Sequence, residues 1–148
     1  MSEIAKLISQ HPFTREMRPE HLAVLEKCAK KVSLKPGELL LKEREPAYQF
    51  YMILKGKVSL ESRSGDQQKQ FQTIGPGEVL GWSWLLSPFV AHASARAVEP
   101  TEVVFLDGAH LMVACENDHD FGYELMKRVS HVLMQRLEAT RKLWLEKS

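Results

Sequence analysis

The sequence predicts a mainly β protein, an antiparallel barrel or roll of short strands with helices before and after it. The first observation behind this prediction is a series of short β-forming runs between residues 32 and 107, separated by turns that contain glycine or proline. The second is that apolar residues recur at helical spacing before residue 31 and after residue 108. At 148 residues the chain is long enough for one domain with a sizeable core.

Composition and charge argue against several classes of function. The formal net charge is +1, which gives no reason to expect binding to nucleic acid or to an anionic membrane. No apolar run approaches the roughly 20 residues that span a bilayer, and the N-terminus lacks a signal-peptide pattern. We therefore expect a cytoplasmic protein. The two cysteines, Cys28 and Cys115, lie far apart in the sequence and are expected to be buried free thiols.

A helical N-terminal segment is predicted over residues 1–31. Apolar residues at helical spacing between residues 2 and 9 predict a first helix, with Ser2 as a candidate N-cap. A second helix is predicted from Pro19, which suits the first helical position, to about Lys31.

The β-roll is predicted over residues 32–107. Turns that contain glycine separate most of the runs of β-forming residues, and proline stands next to glycine in two of these turns. The predicted strands are residues 32–34, 39–41, 49–54, 58–61, 69–74, 79–80 and 101–106, and the run of small residues after Pro88 is expected to return the chain to strand.

The stretch 75–97 carries the first candidate site. Gly81 precedes a predicted helix of one to two turns from Trp82 to Leu86, which Pro88 ends. A glycine before a helix leaves backbone N–H groups pointing at one spot, with the positive end of the helix dipole behind them. This is the local arrangement of an anion site, although a plain N-terminal turn has the same signature.

Helices are predicted again over residues 108–148, a short one from 109 to 116 and a long one from about 121 to 146. The apolar residues of the long helix alternate spacings of three and four, as the seam between two packed helices requires. We therefore predict a homodimer through this helix; the alternative is a helix that lies flat on its own sheet. The predicted interface residues are Val129, Val132, Leu133, Leu137, Thr140 and Trp144.

Four short motifs mark the corners of the predicted roll. They are KPGELL at 35–40, FYMILKGKV at 50–58, GPGEVLG at 75–81, and Arg96-Ala97 before the last strand. Together with the order of the elements, they resemble the cyclic-nucleotide-binding domain family, in particular the sensor domain of catabolite-activator-like regulators. The resemblance covers nearly the whole chain. It implies a jelly-roll-like antiparallel β-roll (a double-stranded β-helix) and a regulatory function.

This chain departs from the family at its phosphate-binding loop. Members that bind cyclic nucleotide usually follow the loop glycine with a glutamate that accepts the ribose 2′-hydroxyl, and Trp82 stands there instead. An arginine usually pairs with the cyclic phosphate. Counted back from Arg96, the arginine position is Ala91, the hydroxyl position is His92 and the small position is Ala93. We therefore expect binding of cyclic AMP to be weak or absent.

The resemblance implies a set of candidate ligand-binding residues: Gly81, Trp82, Ser83, Ala91, His92, Ala93 and Thr140. Thr140 matches a threonine that contacts the purine, but it also suits plain packing or a bond along its own helix. His92 either donates to an anion or closes a polar gap. Trp82 and Trp84 are expected to face different ways, one filling the space of the sugar and the other in the core. No cofactor is assigned; a cyclic nucleotide is possible, with its anchors substituted.

Several functions remain open at this point. One is a regulatory module without tight nucleotide binding; others are a sensor of another small anion or of haem or gas, and a ligand-free dimerisation or protein-interaction scaffold derived from a transcription regulator. We expect no enzyme, because no catalytic triad, carboxylate pair or P-loop stands in a suitable context, and no metal site. The DNA-reading module of the related regulators normally follows the long helix, with which this sequence ends. We therefore expect no DNA binding by this chain alone.

Overall fold

The computed structural model describes residues 2–147 and divides them into two compact units, one ending at Val113 and the other beginning at Ala114. The first unit holds all eight strands of the described chain. No helix within residues 2–147 is long and apolar enough to cross a membrane.

Two helices open the first unit, α1 (Glu3–Gln10) and α2 (Pro19–Lys27), with a 3-10 turn at Pro12–Thr14 between them. The predicted cap of α1 is confirmed, since the Ser2 hydroxyl accepts a hydrogen bond from the N–H of Ala5 at 3.1 Å. The second helix ends four residues before the predicted Lys31, because strand β1 (Ala29–Leu34) already begins there.

Two four-stranded antiparallel sheets form the roll, which confirms the predicted fold class. The first has the order β1 (Ala29–Leu34), β8 (Thr101–Asp107), β3 (Gln49–Lys55) and β6 (Val79–Leu80). The second has the order β2 (Leu39–Leu41), β7 (Ser94–Ala97), β4 (Val58–Ser64) and β5 (Gln67–Ile74).

One apolar core receives side chains from both sheets. Its buried members are Leu40, Tyr51, Ile53, Val58, Leu60, Ile74, Leu80, Ala95, Ala97 and Val103. The Tyr51 hydroxyl links the sheets by donating to the carbonyl oxygen of Leu40 at 3.0 Å, and burial raises the pKa of this hydroxyl to about 12. Since every strand except β1 supplies a buried member, the core fixes the relative position of the strands around the site.

Two further helices follow the roll, α3 (Gly108–Asn117) and α4 (His119–Glu146). The second unit contains the end of α3 and all of α4, whose N-cap is Asp118. The long predicted helix is thus confirmed, and it begins slightly earlier than expected. The apolar stripe of α4 is buried at Phe121, Leu125 and Val129, but exposed in its second half.

Candidate functional site

The loop that leaves β6 begins at Gly81, a position that requires glycine. Its φ is +92°, in the left-handed region, and a Cβ there would overlap the backbone carbonyl of Gln49 on β3. The close approach of these two backbones sets the direction in which the chain leaves the sheet. Gln49 itself has a buried side-chain oxygen that accepts no hydrogen bond within the described chain.

The two tryptophans of this loop occupy different environments, as predicted. Trp84 is fully buried, its indole N–H donates to the carbonyl oxygen of Gly81 at 2.7 Å, and its ring lies edge-on to Phe50 with the centroids 6.2 Å apart. Gly108 makes room for it, because a Cβ there would overlap the indole ring. Trp82 is half-buried. Trp84 is therefore the core residue of the pair.

The helix predicted from Trp82 to Leu86 is shorter than expected, a single 3-10 turn at Ser83–Leu85. The backbone of Leu86 is already extended. Only aligned peptide units over several turns build a substantial macrodipole. The helix-dipole argument for an anion site here is therefore wrong, and individual N–H groups have to carry any such site.

Two segments meet beside this turn: residues 42–48, which follow β2, and residues 87–93, which precede β7. Ala91 lies at the centre of this contact. Its N–H donates to the carbonyl oxygen of Glu45 at 3.0 Å, and its own carbonyl oxygen accepts from the N–H of Arg44 at 2.8 Å. These two bonds fix the backbone at Ala91, whose side chain is 1% exposed.

The backbone beyond Ala91 has unused donors. Within residues 2–147, the N–H groups of His92 and Ala93 donate to no other group, and the same holds for Ser83 in the 3-10 turn. Neighbouring unpaired N–H groups on a loop are the donors that anion sites use. The His92 side chain is exposed, so it does not close a polar gap inside the roll.

Strained backbone marks both of these segments. Arg44 has a φ of +72° and Phe89 a φ of +61°, and each lies in one of the two segments. Left-handed conformations are uncommon for residues other than glycine and cluster at functional sites. Sequence reasoning missed Arg44 and Gln49, because neither residue type nor spacing signals a left-handed arginine or a contact between β3 and the loop.

Thr140, the candidate purine contact, lies on α4 in the second unit. Its side chain is exposed, and its hydroxyl donates to the carbonyl oxygen of Arg136 at 2.9 Å. This is the bond along its own helix that the alternative interpretation expected.

No group of three or more metal-ligating side chains lies together within residues 2–147. Cys28 and Cys115 are free thiols, each half-buried rather than fully buried as expected. Burial raises the pKa of both thiols to about 11, so they are protonated and unreactive near neutral pH.

Comparison with known proteins identifies the family. The profile of the cyclic nucleotide-binding domain matches residues 31–118, more than half of the chain. The chain belongs to this family. The match begins inside β1 and ends just after α3, so it contains nearly the whole roll and the loop around Gly81.

Among curated proteins, a CRP-like cAMP-activated global transcriptional regulator of Mycobacterium tuberculosis is 26% identical over 136 residues. This alignment covers 91% of the present chain but only 59% of the regulator's length. The function of the whole regulator therefore belongs to a protein that is longer than the aligned segment.

Solved structures of the family have the same fold. A protein from Geobacter metallireducens that is described as a cyclic nucleotide-binding protein is 28% identical, with a TM-score of 0.81 over 93% of this chain and 99% of the other. A cyclic nucleotide-binding domain from Methylobacillus flagellatus is 19% identical, with a TM-score of 0.81 over 98% of this chain and 82% of the other. The second likeness concerns the fold alone.

Proposed function

We propose that this protein is a regulatory sensor module of the cyclic nucleotide-binding domain family that binds cyclic AMP weakly or not at all. The observation that carries the proposal is Ala91, a buried methyl group at the position where binding members place the phosphate arginine. Trp82 supports it, since an indole cannot accept a hydrogen bond from a ribose hydroxyl as a carboxylate does.

The size of the loss decides between weak and normal binding. A hydrogen bond to a charged group contributes about 1.5–3 kcal/mol. Losing both the arginine and the glutamate removes roughly 3–6 kcal/mol, or ~10²–10⁴ in affinity. A micromolar site would become a millimolar one.

Isothermal titration of the protein with cyclic AMP tests this proposal. We expect no saturable heat below millimolar nucleotide. A Kd of about 10 μM or tighter, roughly −7 kcal/mol, would overturn it, because other groups would then supply what the missing pair does not. A family member with both anchors present, titrated under the same conditions, controls for the sensitivity of the measurement.

The second part of the proposal is a homodimer through α4. Apolar residues in the second half of this helix are exposed, among them Leu133 at 41%, Leu137 at 67% and Trp144 at 72%. Exposed large apolar side chains that follow one stripe of a helix are typical of a seam for a second helix. The proposed interface consists of Val132, Leu133, Leu137, Thr140 and Trp144. Val129, which the sequence also predicts there, is 3% exposed and already buried within this chain, so it is not available to a second helix.

The module would act in the cytoplasm on a protein partner or through a ligand-tuned dimer. We propose no catalytic activity and no DNA binding for these 148 residues by themselves. A sensor of a small anion is a second candidate, which the unpaired N–H groups of His92 and Ala93 favour.

A further inference from the structure

We propose that protonation of His11 alters the loop that begins at Gly81. The change is transmitted by three buried aromatic side chains in contact, which are Phe13, Phe50 and Trp84. The inference goes beyond the proposed function, because the effector is a proton and the response requires no nucleotide. All of these residues lie in the first unit.

His11 joins the N-terminal helical segment to the first sheet. Its side chain is 4% exposed, and its Nε2 lies 3.0 Å from the carbonyl oxygen of Ile53 on β3. The same carbonyl oxygen accepts the N–H of Gly77 at 3.1 Å, and Gly77 stands in the turn that leads into β6 and Gly81. The imidazole is therefore bonded at the corner of the roll from which the candidate loop departs.

The second ring nitrogen of His11 responds directly to a proton. Nδ1 accepts the N–H of Phe13 at 3.1 Å, and this bond caps the 3-10 turn at Pro12–Thr14. A protonated Nδ1 is a donor, so the bond to Phe13 exists only in the neutral ring. The backbone of His11 is held separately, by bonds to Ile8 at 3.2 Å and to Thr14 at 3.1 Å. Protonation therefore releases Phe13, while the backbone bonds of His11 remain.

A continuous set of contacts leads from Phe13 to the loop. The Phe13 and Phe50 ring centroids are 5.3 Å apart, and Phe50 lies 6.2 Å from the Trp84 ring in an edge-on arrangement. The indole N–H of Trp84 donates to the carbonyl oxygen of Gly81 at 2.7 Å. Side chains in a close-packed interior do not move independently. A displacement of Phe13 is therefore passed to Trp84, and from its indole N–H to Gly81.

Burial, and not a neighbouring charge, decides when His11 takes up a proton. Burial lowers the pKa of His11 below its usual 6.5, against the opposite effect of the backbone carbonyl oxygens of Ile53 and Glu78. Charged residues on α1, after the 3-10 turn, on β3 and in the turn before β6 are all exposed: Glu3, Lys6, Arg15, Glu16, Lys55 and Glu78.

Two of these charges and the other buried histidine already have partners. A carboxylate oxygen of Glu78 accepts the N–H of Gly75 at 2.8 Å, and Lys55 pairs with Glu102 at 3.8 Å. His21 lies on α2, where its Nε2 is 3.1 Å from the Arg18 guanidinium. The contacts that join His11 to Trp84 therefore contain one titrating group, the His11 ring.

Nuclear magnetic resonance across a pH series tests the inference on the full chain without nucleotide. The ring signals of His11 report its protonation, and the indole N–H signal of Trp84 reports the loop, between about pH 8 and pH 5 at constant ionic strength. Trp82→Phe and Trp144→Phe assign the Trp84 signal among the three tryptophans. We expect the His11 ring, the Trp84 indole and the Gly81 amide to change with one common midpoint below pH 6.5.

His11→Gln and His131→Gln form the variant and its control, since each removes one imidazole and His131 is exposed on α4. His11→Gln should remove the change at Trp84, and His131→Gln should leave it intact. Phe13→Leu keeps a buried apolar side chain but removes the ring. In this variant His11 should still titrate, while the change at Trp84 should fall to less than about half. Circular dichroism checks that each variant is folded, and Phe13→Leu keeps the test decisive if His11→Gln is not.

Three results would overturn the inference. In the first, His11 remains neutral until the protein unfolds. In the second, the Trp84 signal does not follow the midpoint of the His11 ring. In the third, the response at Trp84 is unchanged in His11→Gln or in Phe13→Leu. Because no nucleotide is present, these results are separate from a failure of the proposed function, which tight binding of cyclic AMP would overturn whatever His11 does.

Discussion

The indole N–H of Trp84 donates to the carbonyl oxygen of Gly81 at 2.7 Å, and this bond ties the start of the candidate loop to the buried core. The Trp84 ring packs edge-on against Phe50, and it lies so close to Gly108 that a Cβ there would overlap it. Gly81, the first residue of the loop that leads to Ala91, is therefore fixed on one side by the backbone of β3 and on the other by the buried indole of Trp84.

A comparison of two glycines tests how strongly Gly81 is fixed. Gly37→Ala introduces a Cβ at a φ of +94° into open space, and Gly81→Ala introduces one at +92° against the Gln49 carbonyl. We expect Gly37→Ala to cost about 1–2 kcal/mol from the left-handed conformation alone, and Gly81→Ala to cost clearly more. Urea denaturation measures both. Equal losses would mean that the close approach to β3 contributes nothing.

The roll could be predicted from the sequence because its corners are marked locally. Gly37, Gly56, Gly65 and Gly77 all have positive φ, and each stands in a turn that the sequence predicts between runs of β-forming residues. The β1 boundary could not be predicted. Cys28 and Ala29 also fit the apolar face of α2, and only pairing with β8 along the whole of β1 makes the chain extended at Ala29.

The candidate site was only partly predictable. Gly81, Trp82 and Ala91 follow from motifs that lie close together in the sequence. The contacts of Gly81 with Gln49 and of Ala91 with Arg44 join segments that are distant in the sequence, so no local pattern indicates them. The turn at Ser83–Leu85 is likewise shorter than the apolar run from Trp82 to Leu86 indicates, and Trp84 within it is fully buried.

The burial of His11 leads to a prediction of how the free energy of unfolding depends on pH. Its Nδ1 accepts the N–H of Phe13 at 3.1 Å, so the proton is on Nε2, which donates to the carbonyl oxygen of Ile53 at 3.0 Å. This is the neutral form, and burial lowers the pKa of His11 below its usual 6.5. The folded state therefore disfavours protonation of His11. The resulting contribution to the free energy of unfolding is complete above pH 6.5 and is lost as the pH falls through the lowered pKa.

Chemical denaturation between mildly alkaline and mildly acidic pH measures this loss. His11→Gln retains a side-chain donor but does not titrate in this range, so its stability should be lower at neutral pH and should depend less on pH below 6.5. His131→Gln is the control, because His131 is exposed on α4. An equally steep pH dependence in His11→Gln would assign the effect to other groups.

The dimer prediction concerns the exposed stripe of α4. Leu137→Glu places a charge in the proposed apolar seam, where its burial without a partner would cost several kcal/mol, so we expect a monomer. Val113→Glu is the matched control, since Val113 is also exposed, at 54%, but lies on α3 outside the stripe. Light scattering gives the mass of each variant. An unchanged mass for Leu137→Glu and for Leu133→Glu would contradict the proposed interface.

The last prediction separates a loop that merely lacks its anchors from one rebuilt for another ligand. Trp82→Glu with Ala91→Arg restores both charges of the family pattern. If the loop retains the family geometry, the double variant should bind cyclic AMP measurably, and each single variant should bind less. The reason is that the arginine requires a phosphate that the sugar contact has already oriented.

We expect the double variant to recover only part of the affinity for cyclic AMP, because the two new charges lack partners when no nucleotide is bound. Ala91 is 1% exposed, so an arginine there is buried beside Glu45 or forces the segment outward, and a glutamate in place of the half-buried Trp82 also lacks a partner without ligand. Unpaired buried charges destabilise the fold. We therefore expect a lower melting temperature for the empty double variant and recovery when nucleotide binds, by about 2.7 kcal/mol at 100 times its Kd.

Calorimetry and thermal denaturation of the folded double variant, checked by circular dichroism, measure both effects with cyclic AMP into the millimolar range. The variant Trp82→Gln with Ala91→Met has side chains of similar size without the charges and controls for the change in packing. If the charged variant is folded but gives neither heat nor a thermal shift, the two charges do not suffice, because the contacts that Ala91 and Trp82 make have shaped the loop for a different ligand.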